Sequence, residues 1–377
     1  MQILYPIKNI LQMKKYILII ALLVVTAIQF SCSGDDAKDA PKVDEPVSEG
    51  AFIRAADISY LPEMETAGTK FYSNGKVEDM ITTLKNAGCN TIRIRLWKNP
   101  SNGHSGLTEV KNLAQRVKQA GLNVWLTVHY SDSWADPGIQ IVPEEWKNLS
   151  FTDLKAAVSA YTSEIITEIN PDIIQIGNEI NSGLLWPQGN LISNEQQCIA
   201  LLSAASAAVR TKAPNTKIMI HYAGVNAGDT DWFFNKMKSI DYDFIGLSYY
   251  PVWHGKDLAE VQSTINALGK KYSKKVLIAE TAYPFTLASN DWTNNIVGEA
   301  SQLISGYPAT PAGQRTFVLA IKNMVKSSEY GQGFAYWGGE WVAFKGQQSK
   351  SGSTFENQAF YSFDNNALSV LQAFSKE

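Results

Sequence analysis

Cysteine is scarce in this 377-residue chain: besides Cys32 near the N-terminus, only Cys89 and Cys198 are present. Neither belongs to a CxxC pair or has a histidine partner nearby, which argues against zinc and leaves both as small buried residues of helical segments. An excess of positive charge is also missing. With 33 Lys+Arg against 36 Asp+Glu, the net charge of -3 offers no broad basic surface to nucleic acid. The N-terminal apolar run, Tyr16 to Phe30, has only 15 residues. That is too short for a permanent span of a bilayer core about 30 Å thick. Aromatic residues, by contrast, are plentiful: 10 Trp and 16 Tyr exceed the usual demand of a core. Their flat apolar faces suit either packing or the stacking of sugar rings.

Lys14 and Lys15 precede the apolar run, which ends at Ser31-Cys32, so residues 1–31 have the organisation of an export signal. Met13 opens a more typical signal than Met1 does. The stretch QFSC resembles a bacterial lipobox, which implies lipidation at Cys32. Residues 32–50, CSGDDAKDAPKVDEPVSEG, contain no aromatic residue and cannot bury enough apolar surface to offset the entropy of ordering, so a flexible acidic tether is expected. Acidic residues directly behind the cysteine resemble the surface-export signal of Bacteroidetes lipoproteins. The expected location is the outer membrane, displayed at the cell surface, with the lipid as the only membrane contact.

From residue 51 to 377, short apolar runs alternate with amphipathic stretches. Strands are expected at 52–58, 91–97, 123–129, 172–178, 217–222, 243–249, 275–279 and 333–337. Helices are expected near 76–87, 108–120, 152–168, 194–212, 230–238, 257–272, 311–328 and 366–375. Eight such alternations without an internal repeat predict α/β architecture, a single-domain (β/α)8 barrel. Ala-Gly in KNAGCNTIRI and KQAGLNVWL marks helix ends directly before strands, and Asn170-Pro171 closes the third helix. Long gaps follow the strands, at 58–75, 97–107, 130–151, 179–193 and 338–365, which is the face where barrel active sites form.

Alternation along strands then selects the inward residues. TIRIRLW turns Arg93, Arg95 and Trp97 inward. Buried guanidinium groups need acids, either in a site or in structural ion pairs at the barrel end. DIIQIGNEI groups Gln175, Gly177 and Glu179, and VLIAE groups Val276, Ile278 and Glu280. Each glutamate thus emerges at a C-terminal strand end, where a carboxylate after an apolar run is desolvated. Retaining glycosidases require two carboxyl groups about 5 Å apart, one attacking the anomeric carbon and one serving as acid and then base. Glutamates on strands four and seven can meet that requirement across the barrel mouth. His129 follows Thr127 inward, Tyr249 ends the sixth strand, and Trp337 ends the eighth and could floor the subsite of the reacting sugar.

Asn-Glu on strand four with Glu on strand seven resembles the retaining clan A of glycoside hydrolases. The strings AADISYLPEMETAG, TIRIRLWKNP, VWLTVHYSDSWADPG, IIQIGNEINSGLLWP, GLSYYPVWHG, AETAYPF and ENQAFYSFDNNALSVLQAF resemble glycoside hydrolase family 53 in chain order, from about residue 52 to 375. This resemblance implies an endo-acting, retaining β-1,4-galactanase for galactan and type I arabinogalactan. Glu179 would be the acid/base and Glu280 the nucleophile, with Asn178 on the sugar 2-hydroxyl. It also implies that Asp57, Arg95, His129, Tyr249 and Trp337 surround the substrate. Trp134, Trp253 and Trp341 lie on loops and either stack on distant sugars or anchor the loops. No cofactor is expected for the chemistry. Some relatives bind calcium through a DGDGHEN-like loop. Here TLASNDWTNN stands at 286–295, retaining Asp291 and Asn295 but with Ser289 and Thr293 at an acidic and a histidine position. A structural calcium ion is therefore expected to bind weakly or not at all. The expected partners are β-1,4-galactan and galacto-oligosaccharides, and the expected state is a monomer. Two alternatives are a clan A glycanase for mannan or cellulose, and a non-catalytic surface glycan-binding lipoprotein.

Overall fold

The computed structural model describes residues 50–377. The export signal, lipidation at Cys32 and all but the last residue of the tether lie outside the described residues. Eight parallel strands close into a barrel: β1 (Ile53–Asp57), β2 (Thr91–Leu96), β3 (Asn123–Val128), β4 (Ile173–Ile176), β5 (Lys217–Ala223), β6 (Phe244–Ser248), β7 (Lys275–Thr281) and β8 (Gly331–Tyr336). β1 pairs with both β8 and β2, which completes the circle. Among the described residues, seven helices of eight residues or more pack outside it: α1 (Met80–Ala87), α2 (Leu107–Gln119), α3 (Phe151–Ile169), α4 (Glu195–Lys212), α5 (Ala227–Met237), α6 (Leu258–Tyr272) and α7 (Pro311–Ser327). A 3-10 turn at Ser369–Phe374 takes the place of the eighth. Among the described residues no helix is long and apolar enough to cross a membrane.

Local chemistry sets the helix limits. Asp79 caps α1 by accepting from Thr82 N, and Gly88 ends it at φ 100°, where an added Cβ would lie 2.6 Å from Phe374 O. Ser150 caps α3, and Asn170 ends it in the left-handed conformation just before Pro171. Gly88 and Asn170-Pro171 are the same signals that mark these helix ends in the sequence. Cys89 and Cys198 are buried and unpaired.

The barrel interior is filled by Ile53, Ala55, Trp125, Ile173, Met219, Leu277, Ala279 and Ala335. On β7 this reverses the expected phase, since Leu277 and Ala279 point inward while Val276 and Ile278 join the outer core under the helices. Glu280 still reaches the mouth because β7 carries one extra residue there. On the β6 side Leu247 pairs with Ile278 but Ser248 pairs with Glu280, and on the β8 side Phe334 and Tyr336 pair with Ile278 and Thr281. The resulting bulge re-aims the side chain that follows it.

Candidate active site

At the C-terminal end of the barrel a cavity of 210 Å³ is lined by residues of β1, β2 and β7 and of the segments that follow β3, β4, β6 and β8. A larger hollow of 780 Å³ opens at the opposite end, among strand starts such as Ile53, Ile173 and Lys275. It contains neither glutamate.

Arg93 organises the cavity. It is 2% exposed, and its guanidinium reaches Asp57 Oδ2 at 2.7 Å, Glu280 Oε1 at 2.7 Å, Asn178 Oδ1 at 3.0 Å and Gln175 Oε1 at 3.3 Å. Asp57 and Arg93 are neighbours in the strand register, so the ion pair is built into the sheet. Glu280 is held at both oxygens, because the Tyr250 hydroxyl donates to Oε2 at 2.9 Å. Glu179 follows a turn in which Gly177 (φ 93°) and Glu179 (φ 47°) are both left-handed. This turn brings the consecutive side chains of Asn178 and Glu179 into one cavity, which strict strand alternation would forbid. Glu179 Oε1 accepts from Ser248 Oγ. Ligand atoms of Glu179, His221 and Glu280 all lie within 4.8 Å of one another.

Burial and the facing charge of Glu280 push the Glu179 carboxyl up to about 8. Burial also raises Glu280, opposed by Arg93 and by the Tyr250 hydrogen bond. Hydrogen bonds to the charged form favour ionisation. Of the two, Glu280 is therefore the carboxylate and Glu179 keeps the proton. His129 is held neutral by burial and by the charges of Arg95 and Arg93; its Nδ1 accepts from Ala135 N at 3.1 Å. Asn178 Nδ2 donates to Ala135 O, which ties the loop after β3 to the strand-four turn.

Asp57, Arg95, His129, Trp134, Asn178, Glu179, Trp253, Glu280 and Trp337 all line the cavity. Arg95 is stacked among rings, 4.3 Å from the centroids of Trp97 and Trp134 and 4.5 Å from that of Tyr60. Tyr249 is corrected: its buried ring joins the outer core, and its hydroxyl donates to Gly255 O. Ser248 points inward on β6, so Tyr250, two residues on, is the tyrosine that enters the site. Trp341 is stacked on Tyr60, with centroids 4.2 Å apart, and lies outside the cavity lining. Trp253, 54% exposed, remains open at the rim. Phe355 and Asp136 also line the cavity, and neither they nor His221 and Ser248 were singled out by sequence patterning.

In the loop after β7, Asp291 Oδ1 accepts from Thr293 N, while Asp291 Oδ2 and Asn295 Oδ1 are buried without a hydrogen-bonding partner in the protein. Thr293 Oγ1 accepts from Gly352 N at 2.9 Å and contacts Ser349 O at 3.3 Å, joining this loop to the one after β8.

Comparison with known proteins agrees with this geometry. The profile of Glycosyl hydrolase family 53 matches residues 53–374. An arabinogalactan endo-β-1,4-galactanase from Cellvibrio japonicus is 34% identical over 346 residues, covering 86% of this chain and 91% of that protein. An endo-β-1,4-galactanase from Bacillus subtilis is 31% identical, with 86% and 85% covered. Among solved structures, the family 53 catalytic domain of Ignisphaera aggregans superposes with a TM-score of 0.81 at 36% identity, covering 86% of this chain and 95% of that one.

Proposed function

This chain belongs to glycosyl hydrolase family 53, and from that premise we infer that it is an arabinogalactan endo-β-1,4-galactanase, hydrolysing β-1,4-galactosidic bonds within galactan. The observation that carries the mechanism is the pair of facing glutamates, Glu280 buried and Glu179 half-buried, with oxygens within 4.8 Å and opposite protonation. That separation suits retention, in which a carboxylate attacks directly, and falls short of the roughly 6.5–9.5 Å at which inverting enzymes seat a water on the far face of the sugar. Glu280, fixed by Arg93 and Tyr250, attacks the anomeric carbon while Glu179 gives its proton to the departing glycosidic oxygen. Glu179 then takes a proton from water as the glycosyl-enzyme bond is cleaved. Asn178 is positioned by Arg93 for the sugar 2-hydroxyl, and Trp337 provides an apolar wall. A non-catalytic glycan-binding role would leave this pair without a purpose.

No cofactor enters the chemistry. Asp291 Oδ2 and Asn295 Oδ1 of the loop after β7 would hold a calcium ion, with Asp291 as the one acid among the two, and the Thr293 hydrogen bonds already tie this loop to the one after β8. Weak binding follows from so few charged ligands. The Lys14-Lys15 start, the apolar run and QFSC support export and lipidation at Cys32, and the acidic stretch behind it supports display at the cell surface. One barrel carries the whole cavity, which supports a functional monomer. The test of substrate is release of reducing ends from purified galactan beside mannan and carboxymethyl-cellulose. Galacto-oligosaccharides should form from the first alone, and equal cleavage of mannan would overturn the assignment.

A further inference from the structure

We infer that His221 and Ser248 are positioning residues that decide which oxygen of Glu179 carries the acid proton: a one-way hydrogen-bond chain keeps Oε1 as an acceptor and leaves the proton on Oε2. The inference rests on Glu179 being the acid/base.

The direction of the chain is forced at every link. A guanidinium can only donate, and Arg93 donates to Gln175 Oε1, which also lies 3.3 Å from the Thr127 hydroxyl. That end of the Gln175 amide is therefore oxygen. Its nitrogen end shares its two protons among Gly177 O at 3.1 Å, Asn178 Oδ1 at 3.0 Å and His221 Nδ1 at 2.8 Å. An amide nitrogen offers only protons, so His221 Nδ1 must present its lone pair. The backbone N–H of Glu179 points at the same ring nitrogen at 3.2 Å, which makes the same demand. A neutral imidazole with Nδ1 bare carries its proton on Nε2. That nitrogen lies 2.9 Å from Ser248 Oγ. Ser248 accepts there, and its single proton goes to Glu179 Oε1 at 2.5 Å. A proton on Oε1 would meet the serine proton head-on. The acid proton therefore sits on Oε2, which the chain does not touch.

Burial, and next the charge of Arg93, keeps His221 neutral, so the chain holds one tautomer through the working range. The charged and titratable groups facing Glu179 are Glu280 across the mouth, Arg93 from β2, Asp136 after β3, His221 on β5 and Tyr250 after β6. Glu280 and Asp136 raise the Glu179 carboxyl, while Arg93 and the Ser248 hydrogen bond lower it. Losing the Ser248 donor removes a stabiliser of the ionised form, so the carboxyl should rise further.

Two measurements decide the matter. In the wild-type enzyme, nitrogen-15 NMR of the 4 histidines should show His221 as the neutral Nε2–H tautomer from pH 5 to pH 8; an Nδ1–H tautomer or an imidazolium at pH 6 would overturn the chain. In kinetics, Ser248→Ala should move the alkaline limb of kcat/KM to higher pH by about one unit, from the loss of a hydrogen bond to a charged acceptor. Ser248→Cys, with its weaker donor, should move it part of the way. Glu179→Gln on an activated aryl galactobioside separates the two readings, because it should erase the alkaline limb of kcat/KM. A limb that persists there refutes the acid/base role itself. A limb erased in Glu179→Gln but unmoved in Ser248→Ala refutes the chain alone.

Discussion

Glu340→Gln should stabilise the protein at neutral pH and not at acid pH. Glu340 follows β8, is 1% exposed, and accepts from Tyr60 N through Oε1 at 2.8 Å while Oε2 has no partner. Burial, and next the charge of Asp57, push its carboxyl from the ordinary 4.5 up to about 8. Between those two values the native protein holds a proton that the unfolded chain has released, so stability falls as pH rises through that window. From 4.5 to pH 7 the interval is about 2.5 pH units, which at ~1.4 kcal/mol per unit gives about 3 kcal/mol. Glutamine keeps the carbonyl for Tyr60 and never ionises. Its unpaired NH2 costs the same at every pH, so it shifts the whole curve without changing its slope. Urea unfolding of both proteins at several pH values between 4 and 8 should show the variant gaining on wild type by about 3 kcal/mol between pH 4 and pH 7. Parallel curves would mean that Glu340 is ionised in the native state, and the burial argument would be wrong.

Four further outcomes follow from the structure. Glu179→Ala should lose about 10²- to 10⁴-fold in kcat/KM on galactan but far less on an activated aryl galactobioside, whose leaving group needs no proton; equal losses would remove Glu179 from the acid role. Glu280→Gln should abolish turnover of both substrates, and residual cleavage by a pure variant would place the nucleophile elsewhere. Trp253→Ala should raise KM on long galactan severalfold, since a stacked ring is worth about 1 kcal/mol, with the melting temperature unchanged; a lower melting temperature with normal KM would make it packing. Chelator should lower the melting temperature only if Asp291 and Asn295 hold an ion at working concentrations.

The barrel was legible because its signals are local. Apolar runs separated by amphipathic stretches, Ala-Gly at helix ends and Asn170-Pro171 each fix a boundary without reference to distant residues. Inward side chains were equally legible on β2, where alternation runs unbroken through Arg93 and Arg95 into the mouth. On β6 the strand end alone pointed to Tyr249, whose aromatic neighbour Tyr250 is indistinguishable by residue type, and only the inward Ser248 settles which of the two enters the site.

Glu280 was found for a reason that the structure does not support. The expected phase turned Val276 and Ile278 inward, yet Leu277 and Ala279 occupy the interior. With regular pairing, that phase would send residue 280 outward. The bulge shared by the β6 and β8 sides supplies the missing half-period and returns the carboxylate to the cavity. No residue in VLIAET announces a bulge, because extra residues are specified by what the neighbouring strands pair with. The same holds for the turn at Gly177: its glycine is visible in the sequence, but that Asn178 and Glu179 face one cavity depends on a left-handed Glu179 held by the contact of its N–H with His221. At both glutamates the backbone departs from regular strand geometry just where the chemistry needs two side chains to converge. Regular alternation therefore predicts the scaffold better than the site it carries.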